Sequence, residues 1–281
     1  MGMGRELAET SAAAREVWAR ADEALGFAIS KLSWEGPEET LKLTGNTQPA
    51  ILTSSVAALA ALPEKGRRPD YVAGHSLGEY SALVAAGALE FEDAVRLVRR
   101  RGRYMQEATP AGVGAMAALL GLPAGQLDRI CAEAAQGEVV SAANLNSPEQ
   151  VVIAGHKGAV ERAAALARQA GAKKAVMLPV SAPFHCALME PAQRKLAADL
   201  AEVELRDLEV PLVNNYAARA VRTAEEARQG LIEQVPNPVR WEESVRYMIG
   251  QGVTEFVEVG PGRVLTGLLR NIDRTVTGSN A

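Results

Sequence analysis

Apolar residues recur at helical spacing over residues 5–25, where Leu7, Ala8, Val17, Trp18, Ala21 and Leu25 predict one helix. Thr47 reads as an N-cap and Pro49 as a first-turn residue of a second helix that runs to Leu62 and is ended by Pro63 and Gly66. The short apolar run Tyr71 to Gly74 predicts a buried strand. A helix over 76–86 follows at once, and another over 92–108. Pro110, Gly112 and Gly114 then break the pattern. Beyond them a strand is expected over 114–120, a helix over 124–135, and strands over 139–144 and 150–154 about a turn at Asn146-Ser147-Pro148. A helix over 158–170 and a strand over 175–180 complete an order βαββαβ, that of a ferredoxin-like unit. Alternation then resumes with a helix near 187–201, a strand near 210–213, a helix near 241–250 and a strand over 255–259. The loop Gly260-Pro261-Gly262 opens a last helix. The expectation is therefore a larger α/β subdomain, 1–111 with 182–281, interrupted by a small one at 112–181.

Composition narrows the function. The chain has 281 residues, 48% apolar and 23% charged, which excludes a disordered chain. A net charge of -4 lacks the basic excess of a general binder of nucleic acid or anionic membranes. No apolar run reaches the roughly 18 residues of a membrane span. Two cysteines, Cys131 and Cys186, make no disulfide scaffold, and a reducing, cytoplasmic setting is expected. No Cys, His and acidic cluster has metal-ligand spacing. The chain also starts directly on a helical pattern, with no strand before it.

Gly74-His75-Ser76-Leu77-Gly78 matches G-x-S-x-G between a predicted strand and a predicted helix, the context a nucleophile elbow needs. Such a turn is too tight for Cβ atoms on either side. It exposes the Ser76 hydroxyl and turns the Leu77 N–H toward developing negative charge. The alternative is an ordinary strand-to-helix turn with chance glycines. Three histidines are candidates for the base a serine nucleophile requires. His75 adjoins Ser76 and should point away from it; His156 reads as a solvated loop residue in the small unit. His185 lies where the chain re-enters the larger subdomain and is favoured by elimination, against a helix N-terminal role. No acid stands out as a third member, so a dyad is expected.

The helix over 92–108 carries Arg96, Arg99, Arg100 and Arg103 on one face, either solvated or docking an acidic partner. Arg101 projects about 140° from Arg96, into the arc of Ala94, Leu97, Val98 and Met105. A buried guanidinium needs a partner: an internal acid, or a carboxylate that arrives with the substrate. Its fork suits bidentate carboxylate binding.

Six stretches together resemble the malonyl-CoA:acyl carrier protein transacylases of fatty-acid and polyketide synthesis, over nearly the whole chain. They run from Ala73 to Leu83, Arg101 to Ala108, Asn146 to Gly155, Phe184 to Met189, Asn237 to Trp241 and Glu258 to Gly262. The resemblance implies an α/β-hydrolase-like larger subdomain with a parallel sheet, carrying a ferredoxin-like insertion. It implies Ser76 as nucleophile, His185 as base and Arg101 as clamp on the malonyl carboxylate. It also implies a backbone carbonyl at Gln234 that orients the histidine, and Phe184 as a bulky residue crowding the acyl α-carbon. The substrates would be malonyl-CoA and the phosphopantetheine thiol of acyl carrier protein, with no resident cofactor or metal and a monomeric enzyme. A serine thioesterase would share the elbow and the base without needing Arg101. One departure stands out: the family opens with a strand and a glycine- and glutamine-rich loop that gives the second oxyanion N–H. Here Gly2-Met3 matches the tail of that region. A chain lacking one such donor is expected to lose about 100- to 1,000-fold in rate.

Overall fold

The computed structural model describes residues 1–63, 68–180 and 182–281; Gly66 and Ser181, a predicted helix stop and a predicted domain edge, lie outside the described residues. The first predicted helix is in fact two, α1 (Arg5–Thr10) and α2 (Ala12–Leu25). Ser11 between them is extended and its Oγ accepts the Ala14 N–H at 3.3 Å, so one hydroxyl caps the second helix at the break. Two short helices that periodicity did not reveal, α3 (Ile29–Glu35) and α4 (Glu38–Lys42), lead to α5 (Thr44–Ala61). Because α5 starts at Thr44, Thr47 is not its N-cap; the Thr47 hydroxyl donates to Leu41 O at 2.6 Å instead. Pro49 likewise sits inside the helix rather than in its first turn, where it forgoes one amide hydrogen bond. Helix α5 buries Gln48, Ala50, Leu52, Thr53, Val56 and Ala57 among others and packs on α2.

Next come β1 (Val72–Ala73), α6 (Gly78–Ala85) and α7 (Phe91–Glu107). Helix α7 runs alongside α5 at close range: a Cβ on Gly102 would lie 2.4 Å from Thr44 O. This contact brings the core face of α7, Arg101 included, against Gln48.

Residues 114–177 hold β2 (Gly114–Leu120), α8 (Leu127–Ala135), β3 (Val140–Ser147), β4 (Gln150–His156), α9 (Lys157–Gln169) and β5 (Lys174–Met177), in the expected order. The strands form one antiparallel sheet, β3-β4-β2-β5, paired without a slip from Gly114–His156 to Leu120–Gln150 between its central strands. Strand β3 passes through Asn146 and Ser147, so the turn falls at Pro148 and Glu149 rather than at 146–148. The core beneath is apolar and alanine-rich: Ala117, Leu119, Ile130, Ile153, Val160 and Ala163 are all fully buried.

The chain then runs through α10 (Glu190–Glu202), β6 (Leu212–Val213), β7 (Ala220–Val221), α11 (Ala224–Gln234), α12 (Trp241–Gly250), β8 (Glu255–Glu258), α13 (Val264–Ile272) and β9 (Thr277–Asn280). The expected parallel sheet is present only in part among the described residues. Strands β1 and β6 pair in parallel and so do β8 and β9, but β7 runs antiparallel to β6. The short turn between β6 and β7, with Ala218 at φ +51°, permits only that direction. The largest core cluster unites α2, α5, α6, α7, α10 and α11. No helix among the described residues is long and apolar enough to cross a membrane.

Candidate active site

Ser76 occupies the turn between β1 and α6 with φ +51°, a left-handed conformation that a side-chain-bearing residue adopts only where its surroundings impose it. The glycines flanking it have different roles. A Cβ on Gly74 would lie 2.0 Å from the Gly78 backbone, so that position admits no side chain. A Cβ on Gly78 would meet nothing within 4 Å outside its own helix, which corrects the expectation of crowding on both sides. The amides of Gly78, Glu79 and Tyr80 turn back onto the carbonyls of His75, Ser76 and Leu77. None of these bonds engages the Leu77 N–H. The Ser76 N–H donates to Asn215 Oδ1 at 2.6 Å, and Asn215 Nδ2 donates to Gly74 O at 2.8 Å. One asparagine after β6 thus braces both ends of the turn.

The Ser76 hydroxyl lies 2.7 Å from His185 Nε2. His185 is buried in the loop before α10 and also has a left-handed φ, +59°. Its Nδ1 lies 2.8 Å from Gln234 O. A carbonyl only accepts, so Nδ1 carries the proton and Nε2 presents its lone pair to the serine. Burial, and then the Arg101 charge, hold this imidazole down to about 3, so it is neutral at pH 7. A neutral imidazole is the form able to take the serine proton.

Arg101 lies on the core face of α7, 2% exposed. Its Nη2 donates to Ser76 Oγ at 3.0 Å and to Gln234 Oε1 at 2.8 Å; its Nη1 donates to Gln48 Oε1 at 2.7 Å. All three acceptors are neutral oxygens, and among the described residues Nε has no hydrogen-bond partner. Of the two partners the sequence left open, a direct internal acid is not the one found. The guanidinium also stands 5.5 Å from the Tyr80 ring centre, and burial lowers its proton affinity. Phe184 is half-buried beside His185 and packs on two apolar clusters.

The other two histidines are structural. His75 turns away from the hydroxyl, as expected, and its Nε2 meets Asn146 Oδ1 on β3 at 2.8 Å. His156 is not simply solvated: its Nδ1 accepts the Val139 N–H at 2.9 Å. The arginine stripe is largely occupied by its own chain. Arg96 pairs with Asp93, Arg100 with Asp199, and Arg99 lies over Phe27.

Sequence reasoning missed Gln48, Glu79, Asn146 and Asn215. Only Glu79, in a largely apolar stretch, carried a local signal; the other three lie among polar neighbours. It also missed α11, although Thr223-Ala224-Glu225-Glu226 has the capping-box spacing that the structure realises at its start.

The geometry can be set beside known proteins. The acyl transferase domain model matches residues 1–279. The chain is 51% identical over 280 residues to the malonyl CoA-acyl carrier protein transacylase of Escherichia coli K12, covering 99% of this chain and 91% of that one. It is 49% identical over 275 residues to the enzyme of the same name from Bacillus subtilis 168, covering 98% and 87%. Among solved structures, an acyl carrier protein S-malonyltransferase from Vibrio cholerae superposes with a TM-score of 0.97 at 49% identity, covering 100% of this chain and 92% of that one. A malonyl-transacylase in complex with its type II PKS acyl-carrier protein superposes with a TM-score of 0.96, also at 49% identity, covering 100% and 91%. With its family model matched almost end to end, this chain belongs to the acyl transferase family, among the malonyl CoA-acyl carrier protein transacylases.

Proposed function

We propose that this protein transfers a malonyl group from malonyl-CoA to the phosphopantetheine thiol of an acyl carrier protein, through an ester on Ser76. The observation that carries the reading is Arg101: a buried cation bonded to the nucleophile's own oxygen and, among the described residues, to neutral acceptors alone. Such a group has strong reason to recruit a carboxylate from outside. It places that carboxylate within one acyl group's reach of Ser76.

In the first half-reaction His185 Nε2 takes the Ser76 proton as Oγ attacks the thioester carbonyl. The Gln234 carbonyl holds the imidazolium that forms, through Nδ1–H. The Leu77 N–H, at the N-terminus of α6, supports the oxyanion. The tetrahedral intermediate collapses, His185 returns the proton to the leaving sulfur, and CoA departs. In the second half-reaction the carrier thiol attacks the malonyl ester, His185 takes the thiol proton and then returns it to Ser76. Arg101 holds the malonyl carboxylate throughout, and Phe184 limits bulk at the α-carbon.

The reading treats residues 1–111 and 182–281 as an α/β-hydrolase-like subdomain that supplies Ser76, Arg101, His185 and Gln234. Residues 112–181 are a ferredoxin-like subdomain, joined to the site where Asn146 meets His75.

The test follows the acyl group. Malonyl-enzyme, isolated and mixed with holo-acyl carrier protein, should discharge to the carrier thiol faster than to water. Discharge to water at an equal or greater rate would make the protein a thioesterase instead.

A further inference from the structure

The buried Arg101 does have a counter-charge, one amide away. Glu79, in the first turn of α6, is fully buried, and its Oε2 accepts from the Asn215 N–H at 2.8 Å and from Gln234 Nε2 at 3.0 Å. The same Gln234 amide turns its Oε1 to Arg101. Its orientation is fixed by its neighbours: Nε2 faces only acceptors, namely Ser76 O, Glu79 Oε2 and Asn215 Oδ1, whereas Oε1 faces a guanidinium. The amide dipole therefore runs from carboxylate to cation. Among the described residues Glu79 Oε1 has no hydrogen-bond partner, so the carboxylate is incompletely satisfied.

We propose that Glu79 is a positioning residue that balances the Arg101 charge through the Gln234 amide while the site is empty, and takes up a proton when a carboxylated acyl group occupies the guanidinium. The inference rests on the functional reading above. A direct Glu–Arg pair would fill the fork that the substrate carboxylate needs. Holding the acid one amide away supplies a counter-charge while leaving Arg101 Nε, among the described residues, without a hydrogen bond. The arriving carboxylate then supplies the counter-charge at closer range, and two buried anions around one cation disfavour ionised Glu79.

The surroundings permit that exchange. Burial pushes Glu79 up to about 7, against its bonds to Asn215 and Gln234 and the Arg101 charge, so it gains or loses a proton near neutrality. The charged or titratable groups facing it are Arg101 from α7 and Tyr80 on its own helix; burial raises the Tyr80 hydroxyl so that it stays neutral. Neither α5 nor β1, both packed on α6, carries a titratable side chain. His185 stays neutral at these pH values.

The sign follows from linkage. Above about pH 7 free Glu79 is ionised, so malonyl binding must draw a proton and weakens as pH rises, by up to about tenfold per pH unit. Acetyl binding draws none. The test is the pH dependence of KM for malonyl-CoA and acetyl-CoA between pH 6 and 9, for the unmodified enzyme and for Glu79→Gln. The expected result is a rising malonyl KM in the unmodified enzyme, a flat acetyl KM, and a malonyl KM made flat by Glu79→Gln. A malonyl slope that persists in Glu79→Gln overturns the proposal. Should that variant not fold, calorimetry of the unmodified enzyme in two buffers of different ionisation enthalpy decides the matter. Uptake of more than about half a proton per malonyl group at pH 8 supports the proposal, and equal uptake with malonyl-CoA and acetyl-CoA overturns it. Failure of the unmodified enzyme to load malonyl at all would instead overturn the functional reading, whatever Glu79 does.

Discussion

The small antiparallel sheet and the region around Ser76 are built on opposite rules. The first pairs its two central strands in unbroken register over an apolar core of Ala117, Leu119, Ile130, Ile153 and Val160. The second buries Gln48, Glu79, Arg101, His185, Asn215 and Gln234 within a few ångströms of one another and holds both Ser76 and His185 in left-handed backbone. Buried polar groups and positive φ cost stability, so they persist only where surrounding structure enforces them. Where local rules are broken is where the chemistry lies. The two regions meet at β3, whose Asn146 reaches out of the sheet to His75.

Substitutions should separate these two designs. The largest effect is expected from Ser76→Ala, which removes the nucleophile. Transfer should fall by at least about 1,000-fold while thermal unfolding shifts little, measured by steady-state kinetics beside calorimetry. Ile153→Ala is the mirror experiment. It should cost about 2–5 kcal/mol of stability by opening a cavity under the small sheet, measured by denaturant titration, and leave the malonyl-to-acetyl ratio unchanged. A changed ratio would mean the two regions are not independent.

Arg101→Ala divides the site itself. Malonyl transfer should fall by roughly 100-fold while acetyl transfer is spared or raised, because truncating one partner of a buried charge contact costs about 2–5 kcal/mol for the ligand that uses it. An equal loss on both acyl groups would remove Arg101 from substrate recognition.

Titration should show the same contrast. His185 is held well below its ordinary value, so its neutral form contributes stability that is present above about pH 6.5 and lost as pH falls toward about 3. Replacing His185 with Asn should remove about one proton from the acid-unfolding slope, measured by denaturant midpoints between pH 3 and 7. The smallest effect is expected at the start of α11, the end away from Gln234. Thr223→Ala, which breaks the capping box of α11, should cost about 1 kcal/mol and displace Gln234 only slightly, read as a shift in midpoint with little change in KM.

The same contrast explains what the sequence disclosed. The βαββαβ order was legible because each element there obeys its own period. The elbow was legible as a motif, and Arg101 as a cation on an apolar face. The helix starts at Ser11 and Thr44 were hidden because a hydroxyl can cap a helix or sit within one, and only packing decides. The short strands β7 and β9 lack the length to show alternation. Gln48, Asn215 and Glu79 were invisible as site residues because they come from α5, the loop after β6 and the first turn of α6. No spacing within any one segment records their meeting. Gln234 shows the limit most clearly. The resemblance implied its carbonyl, but its side chain, which bonds Arg101, the Ser76 carbonyl and Glu79 at once, emerges only from the assembled fold.

The central claim is that Ser76, His185 and Arg101 form one malonyl-loading site. Intact-mass measurement of the protein after mixing with malonyl-CoA, followed by peptide mapping, tests it most directly. The account predicts one malonyl adduct per chain, located on Ser76 and absent from Ser76→Ala. No adduct, or an adduct that persists in Ser76→Ala, would contradict it.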